Sequence, residues 1–376
     1  MKRVLVTGGA GFIGSHTVDA LLLRGYAVRV YDNLEPQVHG PLREQGRWPE
    51  YLSPEAERLL GDIRDREGLR RALEGVEAVI HLAARVGVGQ SMYEIESYVD
   101  VNVRGTAVLL DLLANEKLAA RKLIVASSMS AYGEGQYECA RCGVVYPAVR
   151  PEGQLRARDW EMRCPHCGEQ VSPRPTPEEK PLFPTSVYAV SKRDQEEMCL
   201  TVGRAYGLPT VALRFFNVYG PRQALSNPYT GVVAIFAGRL LNGNPPVIYE
   251  DGEQQRDFLH VSDAVQAIVL ALESPAADYQ ALNVGTGRAI TIRQVATALL
   301  QHFQLPTSNF QPSNLYRAGD IRHCYPDVRR IAGMGYRAQV TFAEGLGATV
   351  EWVQRQLAED RFAVAQGELE KRGLAG

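Results

Sequence analysis

The run Tyr188-Ala189-Val190-Ser191-Lys192 carries the clearest potential for chemistry in this chain. At i and i+4 a phenol and an ammonium share one face of a helix, so positive charge is held beside a group that must lose a proton to act as a base. A phenol titrates near 10 in water, and working close to neutrality requires about 4 kcal/mol of differential stabilisation of the phenolate. A neighbouring ammonium favours that form, and a second bound cation would favour it further. Taken alone, Tyr and Lys at this spacing describe an ordinary solvated helix face. The pair gains meaning from the elements that must position it.

The first of these lies at the start of the chain. Arg3 to Thr7 is a short apolar run, followed by Gly8, Gly11 and Gly14 and then by an apolar stretch of helical character from Ile13 to Leu23. This predicts strand, tight turn and helix, with the pyrophosphate of a dinucleotide held on the helix's first amides. Glycines also serve ordinary turns. Here, however, a second strand, Ala27 to Tyr31, ends at Asp32, where a carboxylate is expected to meet the adenosine ribose hydroxyls. Negative charge at that point repels a ribose phosphate, so NAD is favoured over NADP. An oxidised nicotinamide would then be the second cation near Tyr188.

Further short apolar runs, at Ala78 to Leu82, Leu123 to Ser127, Thr210 to Phe216 and Leu282 to Val284, alternate with amphipathic helices. This pattern predicts an α/β fold: a Rossmann-type doubly wound parallel sheet with helices on both faces. The chain from about Asn217 onward is richer in Pro, Asn and Gly and is expected to form a smaller C-terminal substrate lobe. The expected division is 1–133 with 181–216 for the dinucleotide-binding domain and 134–180 for an insertion. Residues 217–376 then form mainly the substrate lobe, with one strand at about 281–285 returning to the sheet. The charged tail after Trp352 reads as a helix with a solvated face.

The 376 residues can bury a large core, and the formal net charge of −2 gives no electrostatic reason to expect nucleic acid or an acidic membrane surface. Small molecules and a second copy of the chain remain as partners. No apolar run approaches bilayer length, and the first is broken by Gly8, Gly9 and Gly11 before it could serve as a signal peptide, so a cytoplasmic address is expected.

The insertion carries a second signal. Cys139-Ala140-Arg141-Cys142-Gly143 and Cys164-Pro165-His166-Cys167-Gly168 are two CxxCG knuckles. They can present four thiolates to one zinc ion, each glycine permitting the tight turn around the metal. Two disulfides are the rival reading, disfavoured in a reducing cytosol. Cys139, Cys142, Cys164 and Cys167 would fill every coordination position, which implies a structural metal, with His166 merely a knuckle residue. The free energy of metal binding, about 10–16 kcal/mol, could supply the folding energy of such a small piece. Cys199 and Cys324 read as core thiols. Because the ribbon interrupts the chain between Ser128 and Tyr188, a lid or a dimer contact is expected of it.

Six segments together resemble the extended short-chain dehydrogenase/reductases of the sugar-nucleotide epimerase and dehydratase group. They are TGGAGFIGSH (Thr7–His16), YDN (Tyr31–Asn33), GDIRD (Gly61–Asp65), HLAA (His81–Ala84), VNVRGT (Val101–Thr106) and SVYAVSK (Ser186–Lys192). The similarity runs from residue 1 to about 355, interrupted by the insertion. It implies a cofactor site of Gly8, Gly11, Phe12, Ile13 and Gly14 at the pyrophosphate, Asp32 and Asn33 at the ribose, and Asp62 and Ile63 flanking the adenine. Leu82, Ala83, Ala84, Asn102 and Ser127 would line the cofactor, and Tyr188 and Lys192 would complete it. For His81 a loop-fixing polar role is the plainer reading.

The resemblance also implies catalytic roles. Ser128 would hydrogen-bond the reacting sugar oxygen, Tyr188 would be the base or acid, and Lys192 would tune it while contacting the nicotinamide ribose. Dehydratases of the group carry an Asp-Glu pair directly after that serine, because eliminating water needs an acid and a base. Met129 and Ser130 stand there in this chain, which disfavours a dehydratase. The remaining economical cycle oxidises a carbinol and reduces the ketosugar from its other face, which makes an NAD-dependent nucleoside-diphosphate-sugar 4-epimerase. A reductase or dehydrogenase of the same family is the alternative, and a zinc-ribbon nucleic-acid-binding redox sensor is a distant one.

Val86, Ser128, Ser130, Asn217, Arg256, Arg317 and Asp320 would meet the substrate, a dTDP or UDP sugar, with the arginines clamping phosphates. The plainer reading of those arginines is salt bridging between lobes. Gly87 to Met92 and Asn227 to Gly231 would face the sugar, and with the ribbon they are most similar to dTDP-L-rhamnose 4-epimerases. A homodimer through the Tyr188 helix and the helix near Val103 to Leu113 is implied. The apolar stripe of the latter could equally face the sheet.

Overall fold

Seven short runs form one parallel sheet in the computed structural model, which describes residues 2–310, 313, 315–317 and 319–376. They are β1 (Arg3–Thr7), β2 (Ala27–Asp32), β3 (Glu57–Leu60), β4 (Ala78–His81), β5 (Leu123–Ser128), β6 (Thr210–Phe215) and β7 (Gln280–Val284). In space the order is β7-β6-β5-β4-β1-β2-β3, every neighbouring pair parallel. The order reverses between β1 and β4, which opens a crevice at the carboxyl ends of the strands.

Alternation along the strands sends side chains to two separate cores. Val4, Val6, Val30, Ile80, Val211 and Leu213 pack on one face with the helices Phe12–Leu23 and Val261–Glu273. Leu5, Val79, Val125 and Ala212 pack on the other, where Leu109, Leu110 and Leu112 of the helix Gly105–Asn115 and Cys199 and Leu200 of the helix Val187–Tyr206 cover them. The stripe from Gly105 to Leu112 therefore faces the sheet. Strands buried on both faces read as near-continuous apolar runs, which is why six of the seven are visible in sequence. The exception, β3, lies at the sheet edge with Glu57 exposed, and its ERLL lacks that signature.

A third core, built around Tyr219, Phe236, Ile248, Phe258, Leu299 and Leu346, belongs to the later part of the chain. Its return to the main sheet begins before β7, at the helix Val261–Glu273, which packs on Phe12–Leu23. Among the described residues no helix is long and apolar enough to cross a membrane.

The cysteine-bearing insertion is a three-stranded antiparallel sheet, with Gln136–Cys139 between Gly143–Val145 and Ser172–Arg174. Its own core is small: Tyr137, Val145, Met162 and Val171 beside Cys139 and Cys164. The piece is fastened to the later lobe by buried charge. Arg150 makes a two-pronged contact with Glu250, at 2.8 and 2.9 Å, and both side chains are 2% exposed. Arg322, fully buried, reaches Glu250 at 3.0 Å, Asp251 at 2.6 Å and Glu161 of the insertion at 2.7 Å. Removing one charge from such a cluster leaves the others buried without compensation. Glu250→Gln should cost about 3–5 kcal/mol, read by denaturant unfolding, and should speed protease cleavage within residues 134–180.

Candidate active site

Strand β5 ends at Ser127 and Ser128 on the crevice edge, and the helix Val187–Tyr206 starts beside it. Ser186 caps that helix by accepting from the Ala189 amide at 3.1 Å. The Tyr188 amide donates to Ser91 Oγ at 3.0 Å, which ties the helix start to the segment Val88–Ser91. Ser128 Oγ accepts from the Ser130 amide at 3.2 Å and shares a 2.9 Å bond with the Ser130 hydroxyl. The neighbouring Met129 is buried in an apolar cluster with Tyr132 and Phe216.

In the protein by itself the Tyr188 phenol is not acidified, contrary to expectation. Burial raises its pKa, and the bond from Ser128 only partly opposes this. Lys192 is buried too, and its ammonium donates to Gln195 Oε1 at 2.8 Å. Burial brings this amine down to about 8, against the pull of nearby Cys199 and Glu196. Removing a phenolate from water outweighs what an ammonium already bonded elsewhere returns to it. Gln195 passes the contact on: its Nε2 donates to Thr106 Oγ1 at 2.7 Å, and Thr106 bonds His81 at 3.0 Å. His81 also bonds Thr7 at 2.8 Å, and burial lowers it to about 3, as suits a neutral loop-fixing ring.

The glycine turn has the geometry a pyrophosphate needs. Gly8 sits at φ +70°, where a Cβ would lie 2.8 Å from the Ala83 amide nitrogen, and a Cβ on Gly14 would lie 2.1 Å from the Gly8 carbonyl oxygen. The helix Phe12–Leu23 begins at Gly11 with no side-chain cap and no acid in its first turn, so the amides of Phe12 and Ile13 can address an anion. Asp32 accepts from the Ala10 and Leu34 amides, at 3.0 and 2.9 Å, and burial raises its pKa. Asn33 donates to Asp62 at 3.0 Å. Asp62 is held near 2, chiefly by its bonds to Arg64, whereas Ile63 is buried in the core against Gly105. Leu82, Ala83 and Ala84 follow β4 into the crevice in partly buried positions. Asn102 lies in a π-helical turn, Val99–Arg104, and bonds the Arg85 backbone at both ends of its amide as well as Ser191.

Asn217, Arg256, Arg317 and Asp320, far apart in sequence, line one cavity of about 260 Å³. Asn217 Oδ1 is buried there without a hydrogen-bond partner among the described residues. Arg317 pairs with Asp320 at 3.1 Å and lies 4.4 Å from the Tyr249 ring centre, while Arg256 donates to the carbonyls of Gln255, Ile321 and Arg322. Ala318, inside the Arg317–Asp320 segment, lies outside the described residues. Val86 is 52% exposed and lines neither this cavity nor a smaller one beside it. The tail adds a wall to this cavity. The helix Phe362–Glu370 follows the end of Phe342–Val353 and has the expected solvated face, with Val364 and Glu370 exposed, while its other face turns Phe362, Ala365, Gln366 and Leu369 toward the cavity. Those four residues, Tyr249 and Gln195 were not anticipated, although the i, i+3, i+4, i+7 spacing of the first four was readable.

In the insertion, the sulfurs of Cys139, Cys142, Cys164 and Cys167 all lie within 4.8 Å of one another, with Cys139 and Cys167 at 3.5 Å. Tetrahedral zinc–sulfur bonds of about 2.3 Å require sulfurs about 3.8 Å apart, so the set fits a single ion. Burial opposes ionisation of Cys164, yet the His166 and Cys167 amides and neighbouring thiols bring it down to about 6. The bond to Cys167 first, with burial and the other thiols, pushes Cys142 up to about 12. Four thiolates at this spacing need a cation among them.

Comparison with known proteins matches this geometry. The NAD dependent epimerase/dehydratase family pattern matches residues 4–147 and 166–285, passing over part of the insertion. The dTDP-L-rhamnose 4-epimerase of Burkholderia thailandensis is 34% identical over 363 residues, 95% of this chain and 96% of that protein. Among solved structures, the UDP-glucose 4-epimerase of Thermus thermophilus in complex with NAD is 33% identical with a TM-score of 0.73, covering 94% of this chain and 100% of that one. The Thermotoga maritima UDP-glucose 4-epimerase with UDP-glucose is 32% identical at the same TM-score, covering 94% and 99%. With its reversed parallel sheet, uncapped glycine turn and Ser128–Tyr188 corner, this chain belongs to the NAD dependent epimerase/dehydratase family.

Proposed function

We propose that this protein is an NAD-dependent nucleoside-diphosphate-sugar 4-epimerase that works through a transient 4-keto sugar, with dTDP-L-rhamnose or a related dTDP or UDP sugar as substrate. The observation that carries the reading is the corner itself. Ser128 and Tyr188 stand together at the strand ends, while the position after Ser128 is a buried methionine and the next a serine, so no carboxylic acid is in place for dehydration. The 34% identity to a dTDP-L-rhamnose 4-epimerase over nearly the whole chain supports the choice of sugar.

Bound NAD supplies the oxidation of the sugar carbinol and the return of the electron pair. The chain's own residues do the rest. Tyr188 Oη takes the proton from the sugar 4-hydroxyl, and Ser128 Oγ hydrogen-bonds the same oxygen so that the carbon is presented to one side. When the keto sugar has turned over, Tyr188 gives the proton back. Lys192, one helical turn on, would hold the cofactor's ribose, and its positive charge would favour ionisation of a phenol that burial keeps protonated. Asn217, Arg256 and Arg317 hold the diphosphate in the cavity, and Asp320 meets the nucleoside ribose.

The four insertion cysteines hold a structural zinc, in a cytoplasmic setting that keeps them reduced. The exposed sides of the helices Val187–Tyr206 and Gly105–Asn115 form a homodimer contact.

Tyr188→Phe should lower kcat by about 10²- to 10⁴-fold while NAD remains bound, as followed by NMR of a panel of dTDP and UDP sugars. A reductase would instead consume NADH in proportion to product. Metal analysis should find one zinc per chain, lost in Cys139→Ser together with thermal stability. A full zinc complement in that variant would contradict the tetrathiolate assignment.

A further inference from the structure

The helix Phe362–Glu370 places Phe362, Ala365, Gln366 and Leu369 on one face. That face is a wall of the cavity whose other residues include Asn217, Arg256, Arg317 and Asp320. An amphipathic helix ordinarily buries such a stripe in a packed core. Here the stripe fronts a space of about 260 Å³.

The wall is fixed in place by contacts on every side. Before the helix, Asp360 accepts from Arg239 at 3.1 Å and from Asn244 at 2.8 Å, and the Arg239 guanidinium lies 4.6 Å from the Phe362 ring centre. Along it, the Tyr249 hydroxyl donates to Gln366 Oε1, and Tyr249 is the ring on which Arg317 lies. Beyond it, Tyr316 and Gly376 exchange backbone hydrogen bonds of 2.8 and 3.0 Å, and Ala375 bridges to Arg317. The segment is thus stitched to the arginine expected to hold phosphate.

Two side chains stand where a ligand would meet them. Gln366 Nε2 donates to Glu370 at 2.7 Å, which among the described residues leaves its amide one N–H and one acceptor lone pair beside Tyr249, the ring on which Arg317 lies. Leu369 packs on Gly89, where an added Cβ would lie 3.3 Å from its methyl. It borders both the main cavity and a smaller one shared with Val88, Met92, Thr185 and Ser186, the last two immediately preceding the Tyr188 helix. Arg317 and Asp320 line the smaller cavity as well, so Leu369 borders the space that joins them to the start of the Tyr188 helix.

We propose that Gln366 and Leu369 are specificity-determining residues that touch the bound nucleoside-diphosphate sugar, Gln366 beside its nucleotide part and Leu369 where the diphosphate gives way to the sugar. The assignment rests on the nucleotide-sugar reading above. Its test uses the full chain in wild-type, Leu369→Trp, Leu369→Ala and Gln366→Ala forms. Binding of dTDP and of UDP is measured by calorimetry, amide exchange with and without each nucleotide, and KM and kcat separately on the sugar that the wild type converts.

The expected result is protection of residues 362–370 by dTDP or UDP, with KM raised about tenfold in Leu369→Trp and Gln366→Ala and NAD content unchanged. Leu369→Ala, which opens space without blocking it, should widen the range of sugars accepted. If wild-type protein binds neither nucleotide and converts no nucleotide sugar, the functional reading fails. If it binds and converts them while exchange in 362–370 does not change and the variants keep wild-type KM and sugar range, that reading stands and the role of this helix is overturned. A variant that does not fold leaves the decision to the exchange measurement on the wild type.

Discussion

One buried ion pair holds the Ser128–Tyr188 corner together. Glu196 on the Tyr188 helix accepts from Arg214 on β6 through both prongs of the guanidinium, and its other contact is the Ser127 hydroxyl on β5 at 2.7 Å. The same arginine donates to the Tyr132 hydroxyl at 2.7 Å and to the Glu178 carbonyl at 3.0 Å, and Tyr132 donates in turn to Asn283 on β7 at 2.8 Å. Three strands, the helix and the chain returning from the insertion therefore meet on one charge. Its side chains are 7% and 3% exposed, so desolvation consumes much of the Coulomb energy, and what the pair delivers is registration more than gross stability. Ser127 and Glu196 can bond only if β5 and the helix are aligned, and that alignment brings Ser128 alongside Tyr188.

Burial that secures the corner also sets its electrostatics. Both titratable groups are pushed toward neutrality, the phenol upward and the amine down to about 8. A cation brought beside the pair favours the phenolate and opposes the ammonium, so its arrival moves both groups in the same direction on the pH scale, downward. It is the phenol whose charge it makes cheaper. The Gln195–Thr106–His81–Thr7 chain connects Lys192 to the end of β1 beside the glycine turn. The glycine turn and the lysine position therefore share one chain of hydrogen bonds.

Most of the fold was legible because two-sided burial writes itself into β1, β2, β4, β5, β6 and β7 as apolar runs, and because the glycine turn demands glycine for steric reasons. The cysteine cluster was legible from knuckle spacing alone. What sequence could not give was which polar group wins a contact. Helical spacing points Lys192 toward Tyr188, yet it is bonded to Gln195, and Arg256, expected at phosphate, also serves three backbone carbonyls. Such outcomes depend on competing donors brought together from distant parts of the chain. The tail after Trp352 keeps its expected solvated face, and what could not be read was the cavity that its other face lines. That cavity is assembled from distant parts of the chain and exists only after folding.

The insertion leaves and rejoins the parent fold side by side, Gln136 pairing with Arg174 across the antiparallel strands. Extra chain inside a loop already closed at its base adds little further closure entropy, since that cost rises only logarithmically with length. The distance from Ser128 to Tyr188 is then set by the sheet and is insulated from whatever is grafted between them. The neck thus leaves the sheet geometry untouched, whereas Arg150, bonded to Glu250 and to the Asp320 carbonyl, ties the module to the cavity wall, so a change of module would be felt there first.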